Sequence, residues 1–163
     1  MDSIGKNGRL LLHKATKTSA SPEGLADYSV RNGDVLFNTR NSRELVGKAA
    51  VYRGPDKMLF NNNLMRLRFN PYTVSPDFLR LFLGSRQGTS ELESRKSGAT
   101  NVCAIYWKNL KTMPVPPPPY ELQIQLAKSL ESLESLTKKY FRQEARCNDL
   151  AKVLKSDLMS GSH

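Results

Sequence analysis

The sequence predicts an α+β fold, a mixed, strand-rich body followed by one long C-terminal helix. Three observations carry that expectation. Short apolar runs alternate with turn signals up to about residue 70, helix signals follow, and a run from Met113 to Tyr120 holds five of the nine prolines. Proline fixes φ and removes a backbone donor, so neither a helix nor a central strand continues through that run. It reads as a stiff joint of polyproline type. Beyond it no proline follows, and no glycine until Gly161.

Taken in order, residues 1–27 are weakly patterned, with Leu10-Leu11-Leu12 a candidate short strand and residues 16–24 a loop. Tyr28-Ser29-Val30 leads into Arg31-Asn32-Gly33-Asp34, where Asn-Gly is a strong turn signal. Val35-Leu36-Phe37 reads as a buried strand, residues 38–43 as a polar loop, and residues 45–52 return to strand character around Gly47. Gly54-Pro55-Asp56 is a further turn. In residues 64–69, Met65, Leu67 and Phe69 alternate with Arg66 and Arg68, a period of two that predicts a basic outer face.

Ser75-Pro76-Asp77 is a helix start, with a capping serine, proline at the first helical position and an acid in the first turn. Phe78, Leu79, Leu81, Phe82 and Leu83 then predict a buried helix ending near Gly84, and a second, polar helix is expected over residues 89–95. Residues 96–101 read as a donor-rich loop, and Ile105-Tyr106-Trp107 leads through Leu110 to the prolines. From Glu121 onward, positions 126, 130, 133, 137, 140, 144, 147, 151, 154 and 158 step alternately by four and three. Leu126, Leu130, Leu133, Tyr140, Leu154 and Leu158 mark this seam, and Thr137 and Glu144 interrupt it. About forty helical residues extend roughly 60 Å, more than a body of this size covers, so the helix calls for a partner. The division expected is a body at 1–119 and a helix at 120–163.

Composition bounds the function. A chain of 163 residues with 39% hydrophobic content supports one modest core. Net charge is +10 with a pI near 9.8. Through Pro119 there are 18 Lys and Arg against 9 Asp and Glu, and from Tyr120 onward 7 against 6, so the positive field belongs to the body, as expected of a surface that meets a polyanion. Cys103 and Cys147 lie far apart and suggest neither a disulfide framework nor a zinc site, which fits a reducing compartment. His13 and His163 stand alone in polar surroundings and read as surface residues. With no membrane-length apolar run and no signal pattern at the N-terminus, the expected location is cytoplasmic.

Catalytic patterns fail on their contexts. Phe69-Asn70-Pro71-Tyr72 has one proline fewer than the Asn-Pro-Pro-Tyr tetrad of adenine methyltransferases, and no Gly-rich cofactor loop precedes it, so it reads as a turn ending a strand. Pro76-Asp77 with Glu93-Ser94-Arg95 loosely resembles a metal-dependent nuclease core, yet the aspartate opens a helix rather than ending a strand. No phosphate-cradling loop or nucleophile–histidine–acid set is present. No catalytic residue and no metal site are expected. What remains is polar clusters between apolar runs, at residues 38–43, at Lys48, at residues 61–63 and at residues 95–101. Arginine and asparagine bond guanine and adenine edges, while serine, threonine and lysine suit phosphates. The candidates are Arg40 and Asn41 for base edges, and Ser42, Lys48, Asn62, Lys96 and Thr100 for the backbone. For any one of them, a turn-forming role is an equal alternative.

Three segments carry a family resemblance: GDVLFNTRNSRELVGKAAVY from Gly33 to Tyr52, KSGATNV from Lys96 to Val102, and LKTMPVPPPPYELQIQLAKSL from Leu110 to Leu130. Together they resemble the specificity subunits of type I restriction-modification systems, over most of the chain from about Gly8. Where that family commonly has a Glu-Gln pair after the prolines, this chain has Leu122-Gln123. The resemblance implies one target recognition domain and one conserved helix, where a complete subunit usually has two of each, and it implies a start inside the recognition domain. It further implies a non-catalytic subunit that recognises one half of a split site in double-stranded DNA. The helix would pair with a second such helix, from another copy in a homodimer, and dock methyltransferase subunits. S-adenosylmethionine, ATP and Mg would sit on the methyltransferase and restriction subunits, with none on this chain. The alternative class is a non-catalytic coiled-coil adaptor whose basic face meets an acidic protein.

Overall fold

The computed structural model describes residues 4–5, 10–12, 16, 18–54, 58–70, 72–99 and 102–160, leaving aside the side chains of residues 157–160. The fold is α+β. Two compact units divide the chain, Met1–Ile124 and Gln125–His163.

In the first unit, helix α1 (Pro22–Tyr28) runs into strand β1 (Ser29–Val30). Ser21 caps α1 by accepting the Gly24 N–H, and Pro22 holds its first position. The expected loop over residues 16–24 therefore ends earlier, at Ser21-Pro22-Glu23. None of the helix's residues is buried, so it has no apolar stripe to announce it. The expected strand at Leu10-Leu11-Leu12 is a single bridge from Leu10 to Ile4.

Strands β2 (Val35–Asn38), β4 (Ala49–Val51) and β6 (Leu64–Leu67) form an antiparallel sheet in the order β4-β2-β6, with Leu36 opposite Ala50 on one side and Arg66 on the other. The turn before β2 places Gly33 at φ 92°, a left-handed conformation that suits glycine. All four residues of β2 are buried. Val35 and Phe37 pack into a core with Phe78, Phe82, Leu92 and Ile105, whereas Leu36 packs on the other face with Val30, Ala50, Tyr52 and Leu64. Burial on both faces of the sheet corrects the expected basic outer face at Arg66, whereas Arg68 is exposed as expected and Phe69, expected on the buried face, is exposed too. Arg66 is half-buried, donates to the Ser29 carbonyl and covers the Phe60 ring, with its guanidinium carbon 5.7 Å from the ring centre. Arg68 pairs with buried Asp34.

Two smaller sheets complete the strands. β1 pairs with β5 (Met58–Leu59), and β3 (Arg40–Asn41) pairs with β8 (Cys103–Ala104), which also pairs with β7 (Ser97–Gly98). β3 and β7 both fall in stretches that read as polar loops. Two-residue strands lack the alternating pattern that announces a longer one.

Helix α2 (Pro76–Gly84) starts as its signals require, with Ser75 as cap and Phe78, Leu79, Phe82 and Leu83 buried. α3 (Arg86–Arg95) begins three residues before the expected Thr89, because Ser85 ends α2 and caps α3 at once through the Gly88 N–H at 3.0 Å. After the short α4 (Trp107–Leu110) and the proline run comes α5 (Tyr120–Ser160). In the second unit the apolar side chains of α5 are exposed, among them Leu126, Leu130, Leu133, Leu136, Tyr140, Phe141 and Leu154 at 39–66%. No helix among the described residues is long and apolar enough to cross a membrane.

Candidate nucleic-acid interface

The turn at Asn61-Asn62-Asn63 organises this region. Asn61 Oδ1 accepts the Asn63 N–H at 3.0 Å, a local bond that asparagine makes readily. The Asn63 carbonyl then accepts the Thr39 N–H at 2.8 Å, the Thr39 hydroxyl at 3.0 Å and the Arg40 N–H at 3.4 Å. Those bonds hold the chain where it leaves β2 and enters β3. On the far side, Ile105 donates its N–H to the Thr39 carbonyl at 2.9 Å. Ile105 is buried, so the next two residues, Tyr106 and Trp107, are delivered to the surface beside β3.

A cavity of about 470 Å³ results, lined by Thr39, Arg40, Phe60, Asn62, Leu64, Met65, Arg66, Ala104, Ile105, Tyr106 and Trp107. Two of the sequence candidates, Arg40 and Asn62, are thereby brought together from segments 22 positions apart. Both are exposed.

The other candidates lie elsewhere. Asn41 Oδ1 accepts the Ser42 N–H at 2.8 Å, closing the turn into residues 42–47. Lys48 is half-buried beside the end of β2, its carbonyl accepting the Asn38 N–H at 2.8 Å. Lys96 is engaged within the fold, its Nζ donating to the Arg43 carbonyl at 2.7 Å and pairing with Glu93 at 2.8 Å. The hydrogen bonds of Lys96 and then of Arg43 hold the Glu93 carboxyl below the usual glutamate range. This cluster fastens the 42–47 turn to the end of α3. Thr100, the side chain of Leu158, His13, His163, and Pro55-Asp56 lie outside the described residues.

Sequence reasoning missed Tyr106, Trp107, Phe60 and Arg66 as members of the site. A signal existed: Trp107 is the chain's only tryptophan, adjoining a tyrosine between a buried isoleucine and a polar Lys-Asn pair. Read as the end of an apolar run, the pair gave no hint that the strand stops at Ala104 and turns both rings outward.

Carboxylates considered for chemistry are held by cations. Asp77 pairs with Arg53 at 2.6 Å and Glu93 with Arg43. Among the described residues no group of three or more His, Cys, Asp or Glu side chains is placed to hold a metal ion. The Asn70 motif forms a turn in which Asn70 Oδ1 accepts the Tyr72 N–H at 3.0 Å, and Tyr72 is exposed.

Over 115 residues, 70% of its length, the chain is 35% identical to a protein of Methanocaldococcus jannaschii described as the MjaX type I restriction enzyme specificity subunit. This chain belongs to the family of type I restriction enzyme specificity subunits. A second relative is the EcoEI type I restriction enzyme specificity subunit of Escherichia coli, 26% identical over 106 residues, 64% of this chain. The chain covers 27% of the first relative's length and 18% of the second's. No protein-family model matches it.

Proposed function

We propose that this chain is a DNA-reading module of a type I restriction-modification complex. In this reading residues 1–119 form a target recognition domain that contacts one half of a split site in double-stranded DNA. Residues 120–163 form the helix that pairs with a second such helix and docks methyltransferase subunits. Methylation and cleavage, with S-adenosylmethionine, ATP and Mg, belong to partner subunits, and this chain contributes recognition.

The convergence of Arg40 and Asn62 on one cavity carries the reading. These side chains suit base edges or phosphates, and no acidic residue lines that cavity. Family membership and the excess of positive charge before Tyr120 support it from independent directions. The exposed leucines and aromatics of α5 support the helix assignment, since a solvated helix has no use for so large an apolar face.

The test is selection from a randomised duplex pool near physiological salt, with this chain co-expressed with a type I methyltransferase subunit. Enrichment of a split motif is the expected outcome, and identical inverted halves indicate two copies related by a two-fold axis. Failure to co-purify with any type I methyltransferase subunit and to enrich any sequence rejects the proposal in favour of a coiled-coil adaptor.

A further inference from the structure

We infer that the cavity between the Asn61-Asn62-Asn63 turn and the Tyr106-Trp107 corner receives a single unstacked nucleobase. The inference rests on the DNA-reading proposal and deepens it. At about 470 Å³ this open cleft falls in the volume range of small-molecule sites. Tyr106 and Trp107 are 56% and 54% exposed although adjacent in sequence, and large aromatic rings gain from being covered. Base faces cover such rings well, and stacking is indifferent to base identity.

The polar lining supplies the rest of a base receptor. Neither the Arg40 nor the Asn62 side chain is committed to a hydrogen bond or ion pair among the described residues, so a fork of donors and an amide donor–acceptor pair remain for a base edge. Arg66, held over Phe60, adds positive charge to the same wall. An acidic peptide would engage the arginines and leave the two rings uncovered. Paired bases within a duplex have both faces stacked, so only a base drawn out of the helix, or one in a single strand, presents a face to Tyr106 and Trp107.

Because Trp107 is the sole tryptophan, emission excited beyond the tyrosine absorption band comes from a residue that lines this cavity. The full chain is titrated with a short single strand, with a duplex carrying one bulged base and with the intact duplex, and binding is followed in parallel by anisotropy of labelled DNA. The expected result is a saturable change in Trp107 emission with the first two ligands and little with the third. Tyr106→Ala should weaken single-strand binding roughly 5- to 150-fold, whereas Tyr106→Phe, which keeps the ring, should stay within about twofold of the parent. Tyr106 makes no side-chain cap bond to α4, so its loss leaves the fold in place, and circular dichroism checks this. Asn62→Asp, at an exposed position, should abolish the Trp107 response by setting a carboxylate in the cavity. Binding by anisotropy without a change at Trp107 overturns the base receptor and leaves DNA reading intact, as does an equal response to the intact duplex. No binding to any DNA overturns both.

Discussion

Gln123 Oε1 accepts the backbone N–H of Ser75 at 2.9 Å, joining the first turn of α5 to the cap of α2. The same amide donates through Nε2 to the Thr73 carbonyl at 3.1 Å and the Pro118 carbonyl at 2.9 Å. Gln123 is 1% exposed, so these three bonds satisfy its side chain out of water. Gln123→Ala leaves one buried N–H and two carbonyls without this partner, and the expected loss is roughly 2–4 kcal/mol in urea unfolding. Gln123→Glu keeps the acceptor and sets a carboxylate against two carbonyls. Burial and those carbonyls raise its folded pKa, so its deficit should shrink as pH falls and grow as pH rises through that value. A deficit independent of pH would show that the side chain turns outward.

A second buried bond sets an acid limit. Asp34 accepts from Arg68 through both oxygens at 2.7 Å and from the Arg31 N–H at 2.8 Å. Burial pushes its carboxyl up, but the Arg68 bonds, the Arg31 backbone bond and the charges of Arg68 and Arg66 outweigh it and leave it below the usual aspartate range. The folded value is depressed, so the contribution to stability is complete above the ordinary aspartate value of about 3.9 and is lost as pH falls below it. Arg68→Ala strands the carboxylate, at an expected cost of about 1–3 kcal/mol at neutral pH. That cost should vanish under strong acid in thermal melts read by circular dichroism, and a difference constant with pH would reject the pairing.

The α+β class, β2, α2 and the long helix were legible in the sequence because each rests on signals within one window: a buried run, a Ser-Pro-Asp start, a proline boundary. α1 carries the same kind of start at Ser21-Pro22-Glu23 but buries nothing, so periodicity was silent there. Arg66 of β6 was misread for the opposite reason. Its alternation with Met65 and Leu67 is real, yet its face of the sheet also carries a buried cluster that includes Val30, Leu36, Tyr52 and Leu64. The cavity was half legible: Arg40 and Asn62 have the chemistry, but only the Asn63 carbonyl, reaching Thr39 across the fold, shows that they meet.

Arg40 and Lys48 should separate under DNA titration. Arg40→Ala is expected to cost about 1–3 kcal/mol on the selected target and much less on random duplex, as a base contact requires. Lys48→Ala should weaken both about equally and reduce the salt slope by about one. Equal losses on both duplexes for Arg40→Ala would reassign it to the phosphate backbone.

Cys147 offers a direct probe of the helix. Cys103 is buried in the core while Cys147 is exposed on α5, at a seam position, so alkylation reports on α5. If seams pair, Cys147 becomes covered, and its alkylation should slow several-fold as protein concentration rises. Leu133→Asp, a charge on the same seam, should restore the fast rate and yield monomer in sedimentation. A rate independent of concentration in the parent chain would leave pairing to a different partner.

Asn38 is the counterpart of Gln123. It ends β2 at 1% exposed, and among the described residues neither its Oδ1 nor its Nδ2 has a hydrogen-bond partner. An unbonded buried amide costs free energy that an apolar side chain of similar shape does not. Asn38→Leu is therefore expected to stabilise the fold by about 1–2 kcal/mol in urea unfolding. Asn38 precedes Thr39 and Arg40, so the same variant tests what the unpaired amide is for. Raised stability with weakened target binding would mean that the cost is tolerated for the sake of the cavity; raised stability with unchanged binding would make it a simple defect of packing. A loss of stability would show that the amide is hydrogen-bonded in solution.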